Sequence, residues 1–138
     1  MAKESGLGIT TLSVDDSAGS AQAIKNDITN FGVRTPSAIQ DVTGVDKSAM
    51  ERLHLMADGE MSLNGVFNDA ANLSHAVFKN YRTLAASQVG RTVTLTVSAQ
   101  TLAMELLFDD YPLARGADGS FTWAVVGHLA DGTVPALS

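Results

Sequence analysis

Residues 57–78, ADGEMSLNGVFNDAANLSHAVF, change period half-way, and that change decides the fold. From Glu60 to Phe67 the chain alternates. Met61, Leu63 and Phe67 share one parity; Glu60, Ser62, Asn64 and Val66 share the other. A period of two sends successive side chains to opposite faces of a strand, so the first set predicts a buried face and the second an open one. Beyond Phe67 the spacing becomes four. Leu73, Val77 and Tyr81, with Ala70 and Ala76 nearby, line one side of a short helix. Asn68, Asp69, Asn72 and Ser74 supply N-cap chemistry at the junction.

C-terminal to this unit, Arg82 to Arg91 is a polar connection. Thr92 to Ser98 then alternates Val93, Leu95 and Val97 against Thr92, Thr94, Thr96 and Ser98. A turn at Ala99-Gln100 leads into Leu102 to Asp109, where Leu102, Met104, Leu106 and Phe108 oppose Ala103, Glu105, Leu107 and Asp109. This is the clearest hairpin in the chain. Tyr111 to Arg115 predicts a strand, placed at an edge by Pro112. Ser120 to Leu129 predicts another, with Phe121, Trp123, Val125 and Leu129 inward. The parity of Trp123 makes it a core residue rather than a ligand platform. Ala-Asp-Gly occurs at 57–59, 117–119 and 130–132, but the flanks share no period, so turn chemistry is reused without a repeat.

N-terminal to the unit, Ile9 to Val14 reads as a strand, and Asp15 to Ser20 as a turn. Gln22 to Val33 reads as one strand. Its apolar parity shifts between Ile28 and Phe31, which predicts a bulge near Asn30 or Gly32. Thr35 to Ala49 has little periodicity. Ser48 to Met56 fits either a helical turn or an extended lead-in to the strand at Glu60. The expected organisation is one domain over 1–138, with a flexible arm at about 1–8, a long loop at about 35–56 and a loose tail at about 130–138. The fold class is mainly β (α+β): a β-sandwich or partly closed barrel with one short flanking helix.

Composition bounds function. The chain of 138 residues has a net charge of −6, no cysteine and only 17% charged residues. Disulfides and thiolate metal sites are impossible, and a basic grip on nucleic acid is absent. Low charge suits a surface covered by partners. His54, His75 and His128 have no metal-ligand spacing between them, and adjacent acids at Asp15-Asp16 and Asp109-Asp110 point to opposite faces of a strand. No phosphate-binding loop, nucleophile elbow or dinucleotide turn is present. The chain reads as a non-enzyme with no cofactor, metal or catalytic residue.

Several segments in order carry a family likeness: Val42-Thr43-Gly44-Val45-Asp46-Lys47-Ser48-Ala49, Glu51-Arg52-Leu53, Ala57-Asp58, Leu63-Asn64-Gly65-Val66-Phe67-Asn68, Ser74-His75-Ala76-Val77-Phe78, Arg91-Thr92-Val93-Thr94, Phe121-Thr122-Trp123 and Asp131-Gly132-Thr133-Val134-Pro135. In this order the chain resembles the major tail proteins (tail tube proteins) of long-tailed bacteriophages. It departs from them at Gly59-Glu60-Met61 and at Asn80 to Leu84.

The resemblance implies a structural virion protein whose hexameric rings stack into a tail tube, similar to type VI secretion tube proteins, for genome ejection into the host. The implied partners are further copies of the chain and other tail proteins, such as tape measure, terminator and distal tail protein. Double-stranded DNA passes without specific binding. Assembly takes place in the bacterial host cytoplasm and the final location is the virion tail. The candidate lumen-facing residues are Glu60, Ser62, Thr94, Thr96 and Glu105, where an acidic lining would repel DNA. The candidate inter-ring loop is Asp41, Val42, Thr43, Gly44, Val45, Asp46 and Lys47, continuing to Leu53. A head decoration or other small virion protein is the alternative, followed by a small-ligand-binding β-barrel.

Overall fold

A computed structural model describes residues 3–136; the ends of the expected arm and tail, residues 1–2 and 137–138, lie outside the described residues. Ten strands and one α-helix follow in chain order: β1 (Ile9–Asp15), β2 (Ala21–Ala23), β3 (Ile28–Arg34), β4 (Ser37–Asp41), β5 (Arg52–Ala57), β6 (Glu60–Val66), α1 (Ser74–Phe78), β7 (Arg91–Val97), β8 (Gln100–Phe108), β9 (Leu113–Arg115) and β10 (Phe121–Leu129). Eight strands form one antiparallel sheet in the order β2-β1-β7-β8-β10-β6-β3. β9 joins the edge of β10 at residues 121–123, and β8 takes the same edge at 127–129.

The sheet curls around a single core. Leu12, Val14 and Val93 from one half pack with Met61, Leu63, Trp123 and Val125 from the other. Between β1 and β3 no ladder runs, so the barrel is partly closed, with a seam there. Strand alternation matches the sequence pattern: Met61, Leu63, Leu102, Met104, Leu106, Phe108, Trp123 and Val125 all point inward and are buried. Gly65 takes the inward slot after Leu63. A Cβ there would sit 2.2 Å from the Asp27 carbonyl oxygen and 2.5 Å from the Trp123 ring, so only glycine lets the two pack. The expected bulge is present as a register shift between Ile28 and Asn30.

Four sequence expectations are corrected. The strand at 22–33 is broken: β2 ends at Ala23, and a 3-10 turn over Lys25–Asp27 separates it from β3. That turn buries Ile24 and Asp27, which a continuous strand would not do together. The helix is shorter than the 73–81 periodicity implied, ending at Phe78 and giving way to turns around Tyr81 and Thr83. The turn between β7 and β8 is Ser98-Ala99, both at positive φ (50° and 64°), where the sequence placed it at Ala99-Gln100. Positive φ at both central residues matches the right-handed strand twist, although neither is glycine. Finally, the long loop at 35–56 holds a second, two-stranded sheet of β4 and β5, with residues 42–51 between the strands.

α1 has only five residues, too few to hold itself together in water. Remote charges hold both of its ends. None of Asn68, Asp69, Asn72 or Ser74 caps it with a side chain; Leu73 occupies the N-cap without a cap bond. Buried Asp27 does so instead, its carboxylate accepting from Ser74 N at 3.1 Å and from Asn68 Nδ2 at 3.0 Å. At the other end the buried Arg91 guanidinium donates to the carbonyls of Val77, Asn80 and Thr83. Acid at the N-terminus and base at the C-terminus complement the helix dipole. Burial pulls Arg91 below its usual range, opposed by the charges of Asp16 and Asp15. Val77 and Phe78 are thereby pressed into the core, where Phe78 meets Trp123 and Phe108 at ring distances of 5.0 and 5.3 Å.

Candidate assembly surfaces

Two surfaces stand out, and the first is made by one long ribbon. β3 and β6 pair through Val33↔Met61 and Arg34↔Glu60. The same register continues past the edge of the barrel: Asp58 N donates to Pro36 O at 2.8 Å, and Ser37 pairs with Ala57. Pro36 has no N–H to give, so the ladder thins there and the two sheets separate. β4–β5 is thus the outward continuation of β3–β6. Straight strands from Pro36 to Val45 would reach about 30 Å at most, at ~3.3 Å per residue.

The projecting half is exposed on both faces. A register shift between Ser37 and Ile39 precedes the pairs Ile39↔His54, Gln40↔Leu53 and Asp41↔Arg52. Directly paired residues share a face. One face therefore carries Ile39, the other Leu53 and Leu55, all at least half exposed, while Met56 is 86% exposed and Val45 at the tip is fully so. This explains why the sequence looked irregular: apolar residues lie on both parities, and the bulge exchanges the parities part-way. The tip is locally ordered. Thr43 Oγ1 donates to Asp41 Oδ1 at 2.6 Å and accepts from Glu51 N at 2.9 Å, and a turn closes from Lys47 N to Gly44 O at 3.1 Å. The Thr43 hydroxyl and backbone N–H hold the Asp41 carboxyl below the usual carboxylate range. All seven candidate loop residues, Asp41 to Lys47, lie at this tip.

The second surface is the outer face of the barrel sheet. Glu60, Ser62, Thr94, Thr96 and Glu105 all lie on it, opposite the buried parity. β10, which the sequence left out of this set, runs between β8 and β6 and keeps the two groups apart. It adds a row, Leu107↔His128↔Glu60↔Arg34, across four strands. His128 Nε2 lies 3.5 Å from Asp109 Oδ2. Around it the face is hydroxyl and amide. Thr96 and Thr101 hydroxyls meet at 3.2 Å, Asn64 donates to Asn30, and Thr92 Oγ1 donates to Glu105.

This face is less acidic than the sequence expectation of a repelling lining. Glu60 is paired with Arg34 at 3.4 Å, a contact 26 positions apart that strand parity cannot reveal. Most of the 15 acidic residues are aspartates in turns or at strand ends, away from the sheet face. Nor does the barrel enclose an empty chamber where these residues meet; Trp123, Phe78, Met61 and Leu106 fill its interior. Among the described residues no group of three or more His, Asp or Glu is placed to hold a metal, and no helix is long and apolar enough to cross a membrane.

No family profile matches the chain, and no curated protein matches it in sequence. Solved structures do match in fold. One is a chain from the tail of an empty gene transfer agent (GTA) particle, refined helically with C6 symmetry. It has a TM-score of 0.70 and 15% identity over 99% of this chain and 98% of that one. Another is a chain from the virion of a native GTA particle, with a TM-score of 0.71 and 15% identity over the same shares. The chain therefore shares its fold with chains of these particles.

Proposed function

We propose that the chain is a structural subunit of a phage-type tail tube, assembling into hexameric rings that stack around a DNA channel. The observation that carries this reading is the β4–β5 ribbon. A two-stranded hairpin with no sheet or helix against it is marginal in water. Here it projects with large apolar side chains on both faces, a pattern that marks surface intended for partners. The likeness to a C6 tail assembly supports rings of six. The free outer edge of β3 supports pairing of the sheet with a neighbour's sheet, which would also remove an aggregation hazard.

The outer sheet face, with Glu60, Ser62, Thr94, Thr96 and Glu105, is the surface we assign to the lumen. Its fitness for DNA lies in its hydroxyl groups and its lack of an unpaired cation among the described residues. Phosphate binding needs clustered Lys and Arg to displace counterions, and this face offers only Arg34, already paired. DNA would pass without sticking. Tape measure, terminator and distal tail proteins are the further partners proposed, and the virion tail the location. Negative-stain electron microscopy of concentrated purified protein tests the reading. Long tubes or six-fold rings are expected; particles of monomer size at every concentration contradict it. An assembled tube with Glu105 turned away from the axis contradicts the lumen assignment alone.

A further inference from the structure

The connection from Lys79 to Gly90 carries the chain from α1 to β7 without a strand or helix of its own. Its near end is fastened by Arg91, whose two Nη atoms donate to the carbonyls of Val77, Asn80 and Thr83. Its far end is fastened by Gln88, whose Nε2 donates to Asp15 Oδ2 at 3.0 Å. The turn at Gly19 covers this amide closely: a Cβ on Gly19 would meet Gln88 Nε2 at 3.1 Å and Ala85 Cβ at 3.3 Å. Two polar atoms remain. Arg91 Nε and Gln88 Oε1 are both buried, and neither has a hydrogen-bond partner among the described residues. A donor and an acceptor left unmet inside a fold are costly, and buried polar groups are normally met by protein or by ordered water. Turning the Gln88 amide over gives no relief. It would set Oε1 against the buried Asp15 carboxylate, acceptor against acceptor.

We infer that Arg91 Nε and Gln88 Oε1 hold one buried water between them, and that this water ties the far end of the 79–90 connection to the guanidinium that already holds its near end. Asp15 places the two residues in one corner. Gln88 is bonded to it directly, and Arg91 feels the charges of Asp16 and Asp15, which oppose the effect of burial. Yet neither carboxylate is in ion-pair contact with Arg91 among the described residues. A polar gap of this kind is where a bridging water belongs. The chemistry names the occupant. The site asks for a group that accepts from Nε–H and donates to an amide oxygen. A cation cannot accept, and it would face the guanidinium. A halide cannot donate, and it would face Asp15. Water does both, and its second hydrogen is left for a carboxylate of the same corner. Arg91 and Gln88 are thus positioning residues for the connection. The site lies within one subunit and does not rest on the tube reading.

Nuclear magnetic resonance of the purified full chain tests the site at the Arg91 Nε–H group. The unmodified protein should show a slowly exchanging Nε–H resonance with a nuclear Overhauser effect to water, of the sign that a long-lived bound water gives. Gln88→Met keeps the length of the side chain and removes the acceptor. It should abolish the water signal at Arg91, and the amides of Ala85 to Val89 should exchange about tenfold faster while those of Val93 and Val125 keep their rates. An Arg91 Nε–H that shows no effect to water in the unmodified protein overturns the site, because the group is then bonded directly to protein or left dry. An Nε–H that exchanges as freely as that of an exposed arginine overturns it as well. So does a water signal that survives Gln88→Met unchanged, since Gln88 is then no part of it.

Discussion

The ribbon from Ile28 to Val66 is one antiparallel ladder with two fates. In its inner half, β3–β6, one face is buried: Met61 and Leu63 are sealed in the core while Glu60, Ser62 and Asn64 stay on the outside. In its outer half, β4–β5, neither face is covered, and Leu53, Leu55, Ile39 and Met56 meet solvent. Backbone pairing is of the same kind throughout, so hydrogen bonding cannot account for the difference. What separates the halves is apolar burial, worth about 25 cal/mol per Å². The inner half is stabilised within the subunit; the outer half has its stabilising surface still to be covered.

Substitutions sharpen or break this contrast. The largest effect belongs to the body. Phe78→Ala removes a fully buried ring from against Trp123 and Phe108, and should cost about 3–5 kcal/mol in denaturant unfolding. Asp27→Ala should cost about 1–3 kcal/mol in the same assay, because Ser74 N and Asn68 Nδ2 lose their acceptor inside the fold. In the outer half the expectation inverts. Leu53→Ser/Leu55→Ser should change subunit stability by no more than about 0.5 kcal/mol, as exposed substitutions usually do. The same variant should form no tubes in the electron microscope. A large loss of subunit stability there would erase the contrast.

The smallest effect is in the tip. Asp41 has a folded pKa below its ordinary value because Thr43 hydrogen-bonds its carboxylate. Its contribution is therefore present above the ordinary carboxylate pKa and is lost as pH falls through the lowered folded value. Tip resonances in nuclear magnetic resonance spectra should hold steady from neutral pH to about pH 5 and shift only below the ordinary Asp pKa near 4. Asp41→Asn should remove that transition and leave the barrel resonances unmoved.

The same contrast explains what the sequence disclosed. β6, β7, β8 and β10 were legible because one-sided burial imposes a period of two on Met61, Leu63, Val93, Leu102 to Phe108, Trp123 and Val125. The polar parity that carries Glu60, Ser62, Thr94, Thr96 and Glu105 was legible for the same reason. β4 and β5 were not, since apolar residues on both parities read as irregular. The caps of α1 were also hidden. Asp27 lies 47 positions from Ser74, and local cap rules pointed to the neighbouring Asn and Ser residues instead. The neutralisation of Glu60 by Arg34 and the β1–β3 seam depend on how the sheet rolls up, which strand patterns do not encode. Residues Asp41 to Lys47, named from the sequence as a loop, lie at the tip of a hairpin whose first strand the pattern did not disclose and whose second follows the extended alternative for Ser48 to Met56.

Hydrogen exchange, read residue by residue in the free subunit and in the assembled particle, is the most direct test that the outer half of the ribbon is completed by a neighbour. In the free subunit the amides of Ile39, Gln40, Leu53 and His54 should exchange far faster than those of Met61, Leu63 and Val125. In the assembly the first group should slow by at least a hundredfold, while the second changes little. Equal exchange of the hairpin amides in the free and assembled states would contradict the account.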